Sequence, residues 1–213
     1  MPRYAISDIH GCPDTFRALL NTIGLQPEDE LFLLGDYIDR GPDSLGVIEH
    51  IWKLEKAGYR LTCLRGNHEQ MFLNALARGE HSGVIPVRHH EAVARWMMTL
   101  GYYHETPGYL LVHAGFNFRH HYPLEDTHAM LYIRYWYDDM KLNPAFLGDR
   151  IIVHGHTPAK MLQVKREIRE MRQNQVTCID TGCSQSQEGM GYLTALNLDT
   201  GVGTFARNVE SGR

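Results

Sequence analysis

Short apolar runs that end in polar clusters, separated by stretches of helical periodicity, set the pattern of the first third of the chain. Tyr4-Ala5-Ile6 reads as a strand that gives way to Ser7-Asp8-Ile9-His10-Gly11. Asp14 then caps a helix whose apolar positions Phe16, Leu19, Leu20 and Ile23 recur at helical spacing. A second strand, Leu31 to Leu34, ends in Gly35-Asp36, and a second helix follows Asp43-Ser44 with Val47, Ile48, Ile51, Trp52 and Leu54 on its apolar side. The third strand, Leu61 to Leu64, ends in Arg65-Gly66-Asn67-His68. Strand, helix, strand, helix, strand predicts a parallel α/β unit with right-handed crossovers.

Residues 68–105 read as helical, with a break near Gly79 to Pro86, and form either an insertion or a lid. Beyond them the pattern returns to strands. Tyr109 to Val112 leads into His113-Ala114-Gly115, and Ile151 to Val153 leads into His154-Gly155-His156-Thr157. Val176 to Ile179 precedes Asp180-Thr181-Gly182, a turn former, and Tyr192 to Leu198 with Thr204 to Arg207 predicts a closing hairpin. Without an internal repeat or a low-complexity linker, residues 1–213 read as one domain.

Composition narrows the class. At 213 residues, with 43% hydrophobic and 22% charged positions, the chain is long enough for a core without disulfides, and wholesale disorder and fibrous repeats are excluded. A net charge of −4 weighs against nucleic acid as a partner, and no apolar run is long enough for a membrane span. The four cysteines at 12, 63, 178 and 183 have no framework spacing and read as reduced packing residues, with Cys12 and Cys183 near the polar clusters. The expected location is the cytoplasm. The solvated-face reading of the basic run Lys160 to Arg172 competes with a rim that attracts acidic phosphopeptides.

Thirteen histidines and twenty glycines suggest a polar site built from loops. Each polar cluster follows the C-terminal end of a predicted strand, the edge at which open α/β sheets bind ligands. Asp8, His10, Asp36, Asn67, His113 and His156 are therefore candidates to converge. Carboxylate, amide and imidazole ligands suit manganese, iron or zinc rather than a thiolate structural site. Six ligands are too many for one catalytic ion and about right for two, with one carboxylate shared, an arrangement typical of phosphate-ester hydrolysis. Arg40, Arg65 and Arg134 lie near the same strand ends, where guanidinium forks match phosphate oxygens. His68 opens a predicted helix whose free amides also favour an anion.

Asp8-Ile9-His10-Gly11, Gly35-Asp36-Tyr37-Ile38-Asp39-Arg40-Gly41 and Arg65-Gly66-Asn67-His68-Glu69 resemble the D-x-H, G-D-x-x-D-R and G-N-H-E motifs of the calcineurin-like metallophosphoesterases. The gaps match as well: 24 positions separate His10 from Gly35, and 25 separate Arg40 from Gly66. His113-Ala114-Gly115 and Gly155-His156-Thr157 resemble the two later metal-histidine motifs. The tighter resemblance is to the phosphoprotein phosphatases, especially short bacterial and phage serine/threonine protein phosphatases. It runs from about residue 4 to residue 198.

The resemblance implies a four-layer αββα sandwich around a central pair of mixed β-sheets, with two divalent ions, manganese first and iron or zinc second. It implies one ion held by Asp8, His10, Asp36 and His156, and a second by Asp36, Asn67 and His113. His68, oriented by Asp39, would protonate the leaving group; Arg40 and Arg134 would grip phosphoryl oxygens, with Arg65 at the edge. A hydroxide between the ions would attack phosphorus directly. The expected function is a serine/threonine protein phosphatase of broad specificity acting on phosphorylated proteins, peptides and small phosphate esters. A dinucleoside polyphosphate hydrolase, cleaving substrates such as diadenosine tetraphosphate, is the alternative; Tyr37 with Asp39-Arg40 favours the phosphatase. An inactive phosphate-binding scaffold would lack a ligand or the general acid, and neither is missing.

Overall fold

The computed structural model describes residues 1–210; the single-domain expectation for 1–213 extends to three positions outside the described residues. The chain runs β1 (Arg3–Ile6), α1 (Pro13–Ile23), β2 (Glu30–Leu33), α2 (Ser44–Lys56), β3 (Arg60–Cys63), α3 (Asn67–Ala77) and α4 (His90–Thr99). It continues with β4 (Tyr103–Thr106), β5 (Tyr109–Val112), α5 (Thr127–Tyr132), α6 (Pro144–Leu147) and β6 (Ile151–His154). The last elements are α7 (Met161–Asn174), β7 (Val176–Cys178), β8 (Tyr192–Asn197) and β9 (Val202–Arg207).

Two mixed sheets form, in the orders β3-β2-β1-β8-β9 and β4-β5-β6-β7. β1, β2 and β3 are parallel, as are β5, β6 and β7, while β8 returns antiparallel beside β1 and β4 antiparallel beside β5. The central strands β2, β5, β6 and β8 are largely buried on both faces, so consecutive residues feed different cores. Leu31 and Leu33 pack with α1 and α2, whereas Phe32 and Leu34 face the second sheet. In β5, Tyr109 and Leu111 meet that same inner layer, and Leu110 and Val112 pack outward against Met130, Trp136 and Leu147. Helix, sheet, sheet, helix is the four-layer α/β arrangement the motifs implied.

Several local expectations change. Helix α1 starts at Pro13, whose missing N–H costs nothing at a first turn, and Cys12 is the flanking residue; Asp14 lies in the first turn instead of capping it. The helical reading of 68–105 ends early, because Tyr103–Thr106 pairs as strand β4 with β5. Lys160 to Arg172 lies largely on α7, whose Val164, Ile168 and Met171 enter the inner core at helical spacing while its charges stay outside. Cys12 and Cys183 are buried in the core beneath α1 and α2. Among the described residues no helix is long and apolar enough to cross a membrane.

Candidate metal centre

The loops after β1, β2 and β6 carry their polar side chains on strained backbone. Asp8, His10, Asp36, Asp39, Arg40 and His156 all have positive φ, between 48° and 72°. Such a conformation costs a non-glycine residue of the order of 1–3 kcal/mol, and persists only where the surroundings over-determine it. Here the loops are zipped together: the amides of His10 and Gly11 donate to the carbonyls of Asp36 and Tyr37 at 2.9 and 2.8 Å. Gly155 lies so close to Asp8 and Ser7 that any β-carbon would collide with both side chains.

Two groups of ligand atoms share Asp36. In one, His10 Nε2 lies 3.5 Å from Asp36 Oδ2 and 4.0 Å from Asp8 Oδ1. In the other, His113 Nε2 lies 3.5 Å from Asp36 Oδ1 and 3.0 Å from Asn67 Oδ1, which also lies 2.9 Å from His156 Nδ1. The sequence expectation put His156 with Asp8, His10 and Asp36; the structure places its ring beside Asn67 and His113, while its backbone amide donates to Asp8. The reason is positional: β6 lies between β5 and β7 in the second sheet, so its end reaches the His113 side of the cluster.

The imidazoles are set up to present lone pairs. His10 Nδ1 and His113 Nδ1 each face a backbone carbonyl at 2.9 Å, of Ile38 and Leu34. Carbonyls only accept, so each Nδ1 carries the proton and each Nε2 presents a lone pair. Those lone pairs point at carboxylate and amide oxygens, which also only accept. Among the described residues His10 Nε2 and His156 Nε2 are buried with no hydrogen-bond partner, a cost native proteins rarely leave unmet. Burial pushes the His10 pKa down to about 4 although Asp8 works against it, and burial with His113 pushes His156 to about 3. Burial and the neighbouring Asp8 and Glu69 raise Asp36 well above the carboxylate range. Convergent lone pairs around buried carboxylates are the donor set of a borderline divalent cation.

His68 sits at the rim, with Nδ1 donating to Asp39 Oδ2 at 2.7 Å and Nε2 3.9 Å from Asp36 Oδ2. Burial opposes its charged form, but the Asp39 hydrogen bond and the Asp36 charge prevail, and its pKa is raised. Arg40 Nη2 approaches His68 Nε2 at 3.2 Å. Arg134 is exposed, near enough to His156 to depress its pKa, and makes no hydrogen bond or ion pair among the described residues. Arg65, expected at the phosphate, is turned elsewhere. Its guanidinium donates to Gln70 Oε1, the Tyr102 hydroxyl and the carbonyls of Met97 and Met98, at 2.9 to 3.1 Å, and so ties α3 to the end of α4.

Sequence reasoning gave Glu69 no role. Its carboxylate is fully buried and accepts the amides of Asp36, Tyr37 and Gly66 at 2.8, 2.9 and 2.8 Å, locking the β2 loop to the start of α3. A glutamate three positions after a helix start is a capping signature, and that signal was present in Gly66-Asn67-His68-Glu69. Ser7, which donates to Asp8, had no such signal.

Curated relatives overlap the chain in part. Symmetrical bis(5′-nucleosyl)-tetraphosphatases of Nitrosomonas europaea and Aromatoleum aromaticum are 36% and 34% identical over 123 and 125 residues, covering 54% of this chain in each case. The matched region spans about half the length of these curated relatives, 45% and 44%. Names of this kind overturn the expected serine/threonine protein phosphatase and its phosphoprotein partners, and favour the dinucleoside polyphosphate alternative. Among solved structures, a crystal structure provisionally named a diadenosine tetraphosphatase superposes with a TM-score of 0.69 at 20% identity, covering 99% of this chain and 95% of that one. A cold-active protein tyrosine phosphatase of Shewanella superposes at 0.60 and 18% identity, covering 97% and 80%. At such identities both share the fold alone. The family model of the calcineurin-like phosphoesterases matches residues 1–187, most of the chain with every candidate ligand inside it, and the chain belongs to that family.

Proposed function

We propose that this chain cleaves the phosphoanhydride bridge of a dinucleoside polyphosphate at a centre that holds two divalent ions. The observation that carries the metal centre is the pair of buried imidazole nitrogens, His10 Nε2 and His156 Nε2, left without hydrogen-bond partners among buried carboxylates. The names of the curated relatives support the substrate class. Asp8, His10 and Asp36 would hold one ion, and Asp36, Asn67, His113 and His156 the other. Manganese is the ion to supply first; iron and zinc suit the same donors. Bound there, divalent ions supply Lewis-acid polarisation of phosphoryl oxygens and a lowered water pKa.

The chain's own groups do the rest. Arg40, beside His68, and Arg134, near His156, would offer forked donors that match a phosphoryl group. His68 carries the proton for the departing oxygen on Nε2, and Asp39 fixes the ring through Nδ1. Once Nε2 is protonated it repels the Arg40 guanidinium that now approaches it, which frees Arg40 for the substrate. Glu69 positions Asp36 and carries no proton in the reaction.

The test is to strip the protein with chelator, restore manganese, and assay diadenosine tetraphosphate, an aryl phosphate and a phosphoserine peptide. Metal-dependent conversion of the tetraphosphate to adenosine diphosphate alone is the result expected for cleavage at the central bridge. Peptide turnover with an untouched tetraphosphate would overturn the proposal.

A further inference from the structure

A cavity of about 420 Å³ opens beside the end of β6, walled in part by Tyr135, Tyr137, Asp138, Pro158, Gln163 and Glu167. Its volume falls in the range of small-ligand sites. It adjoins the candidate metal centre through the chain itself, since Thr157 in its wall follows His156 and Tyr135, also in its wall, follows Arg134.

Tyr135 is the unusual residue. It is 97% exposed and has a φ of 59°, a conformation that bulky side chains rarely adopt. No hydrogen bond or ring contact holds it among the described residues. Strained backbone thus presents an aromatic face to solvent beside an unpaired arginine. Tyr137 is the opposite case. Its hydroxyl donates to His154 Nε2 at 2.6 Å and its ring packs edge-on to Trp136, so it forms a fixed aromatic wall. On the α7 side of the wall, Gln163 Nε2 donates to Glu167 Oε1 at 2.9 Å, which orients the amide and leaves its carbonyl oxygen for an incoming donor.

Charge sets the direction of the ligand. Asp138 and Glu167 in the wall would repel a phosphate, whereas Arg134, which precedes Tyr135 and lies near His156, attracts one. An occupant with an uncharged, planar, hydrogen-bonding body inside and an anionic end toward Arg134 fits this charge pattern.

We infer that this cavity is a nucleobase subsite, in which the base stacks against Tyr135 and Tyr137 and meets Gln163 while the attached phosphate lies at Arg134. The inference deepens the dinucleotide reading and rests on it for the choice of ligand.

Calorimetric titration of the manganese-supplied protein with adenosine 5′-monophosphate and with ribose 5-phosphate separates the base from the phosphate. A stacked base is expected to tighten binding about tenfold or more. Tyr135→Ala and Gln163→Leu, both at exposed positions, are each expected to shrink that ratio about threefold, and Tyr135→Phe to keep it. Equal affinity of the unaltered protein for the two ligands overturns the inference, as does a ratio that neither Tyr135→Ala nor Gln163→Leu changes. Diadenosine tetraphosphate turnover is measured on the same preparation. A base preference without turnover keeps the subsite and rejects the dinucleotide reading; turnover without a base preference rejects the subsite alone.

Discussion

His68 and Glu69 are adjacent in the chain and solve different problems. His68 keeps one ring nitrogen on Asp39 and the other at the rim beside Arg40, a placement that suits a proton donor once Nε2 is protonated. An alkyl ester needs that proton more than an anhydride does, because the phosphate that leaves an anhydride is already a weak base, with a second pKa near 6. His68→Asn is therefore expected to slow hydrolysis of an alkyl phosphate by about 10²–10⁴-fold and the tetraphosphate by much less, read as kcat on both substrates. Glu69 satisfies three amides from the interior. Glu69→Ala would orphan them at about 1–3 kcal/mol each, so a stability loss of several kcal/mol is expected in denaturant melts. Tyr37 carries a caution at the same scale. It is buried, and its hydroxyl donates to the Leu33 and Leu64 carbonyls, so it never faces a substrate and cannot discriminate between phosphatase and dinucleotide hydrolase.

Elements follow local rules where side chains can act on their own backbone. Asp43 caps α2, accepting from the Gly46 amide at 2.8 Å, as the Asp43-Ser44 pattern predicts. Asp43→Ala is expected to cost about 1 kcal/mol, measured by chemical denaturation. Asp126 caps α5 by accepting from Ala129, and it also accepts from Asn117 Nδ2, both at 2.9 Å. The Asn117 bond holds its pKa below the usual 3.8, and burial works against it. A carboxylate depressed on folding stabilises above its unfolded pKa, and that contribution is lost as pH falls through the folded value. The melting-temperature gap between the parent and Asp126→Asn should thus be open at neutral pH and close below about pH 4. The 116–150 region shows the limit of local reading. Its short helices and turns lack a long periodic stripe, and they are held by burying Phe116, Met130, Trp136 and Leu147 on the outer face of β5 and β6.

At the scale of the molecule, the two sheets place six candidate ligand side chains from five strand ends at one edge. Buried lone pairs and carboxylates that face one another are costly without a cation, so the folded state should bind divalent ions better than the unfolded chain. Saturating manganese at about 100 times its Kd contributes about 2.7 kcal/mol, which for a chain of this length is a rise of about 5–10 °C in Tm. Thermal melts with chelator and with manganese check this. Coincident melts would remove the basis for the metal centre.

The sequence by itself determined the α/β class, the strands with their polar ends, and the set of candidate ligands, because strand runs and motif spacing are encoded within a few tens of residues. Asp8, His10, Asp36, Asn67, His113 and His156 were all legible for that reason. Only the tertiary structure decided how they group: His156 joins Asn67 and His113 because β6 lies beside β5, a pairing of strands about forty residues apart in the chain. It also decided that Arg65 stitches α3 to α4 instead of meeting phosphate, and that Tyr135 stands exposed in the wall of a cavity. Residue type and spacing specify what chemistry a side chain can offer. Which partner it meets depends on long-range packing, where burial and competing hydrogen bonds choose among several partners of suitable chemistry.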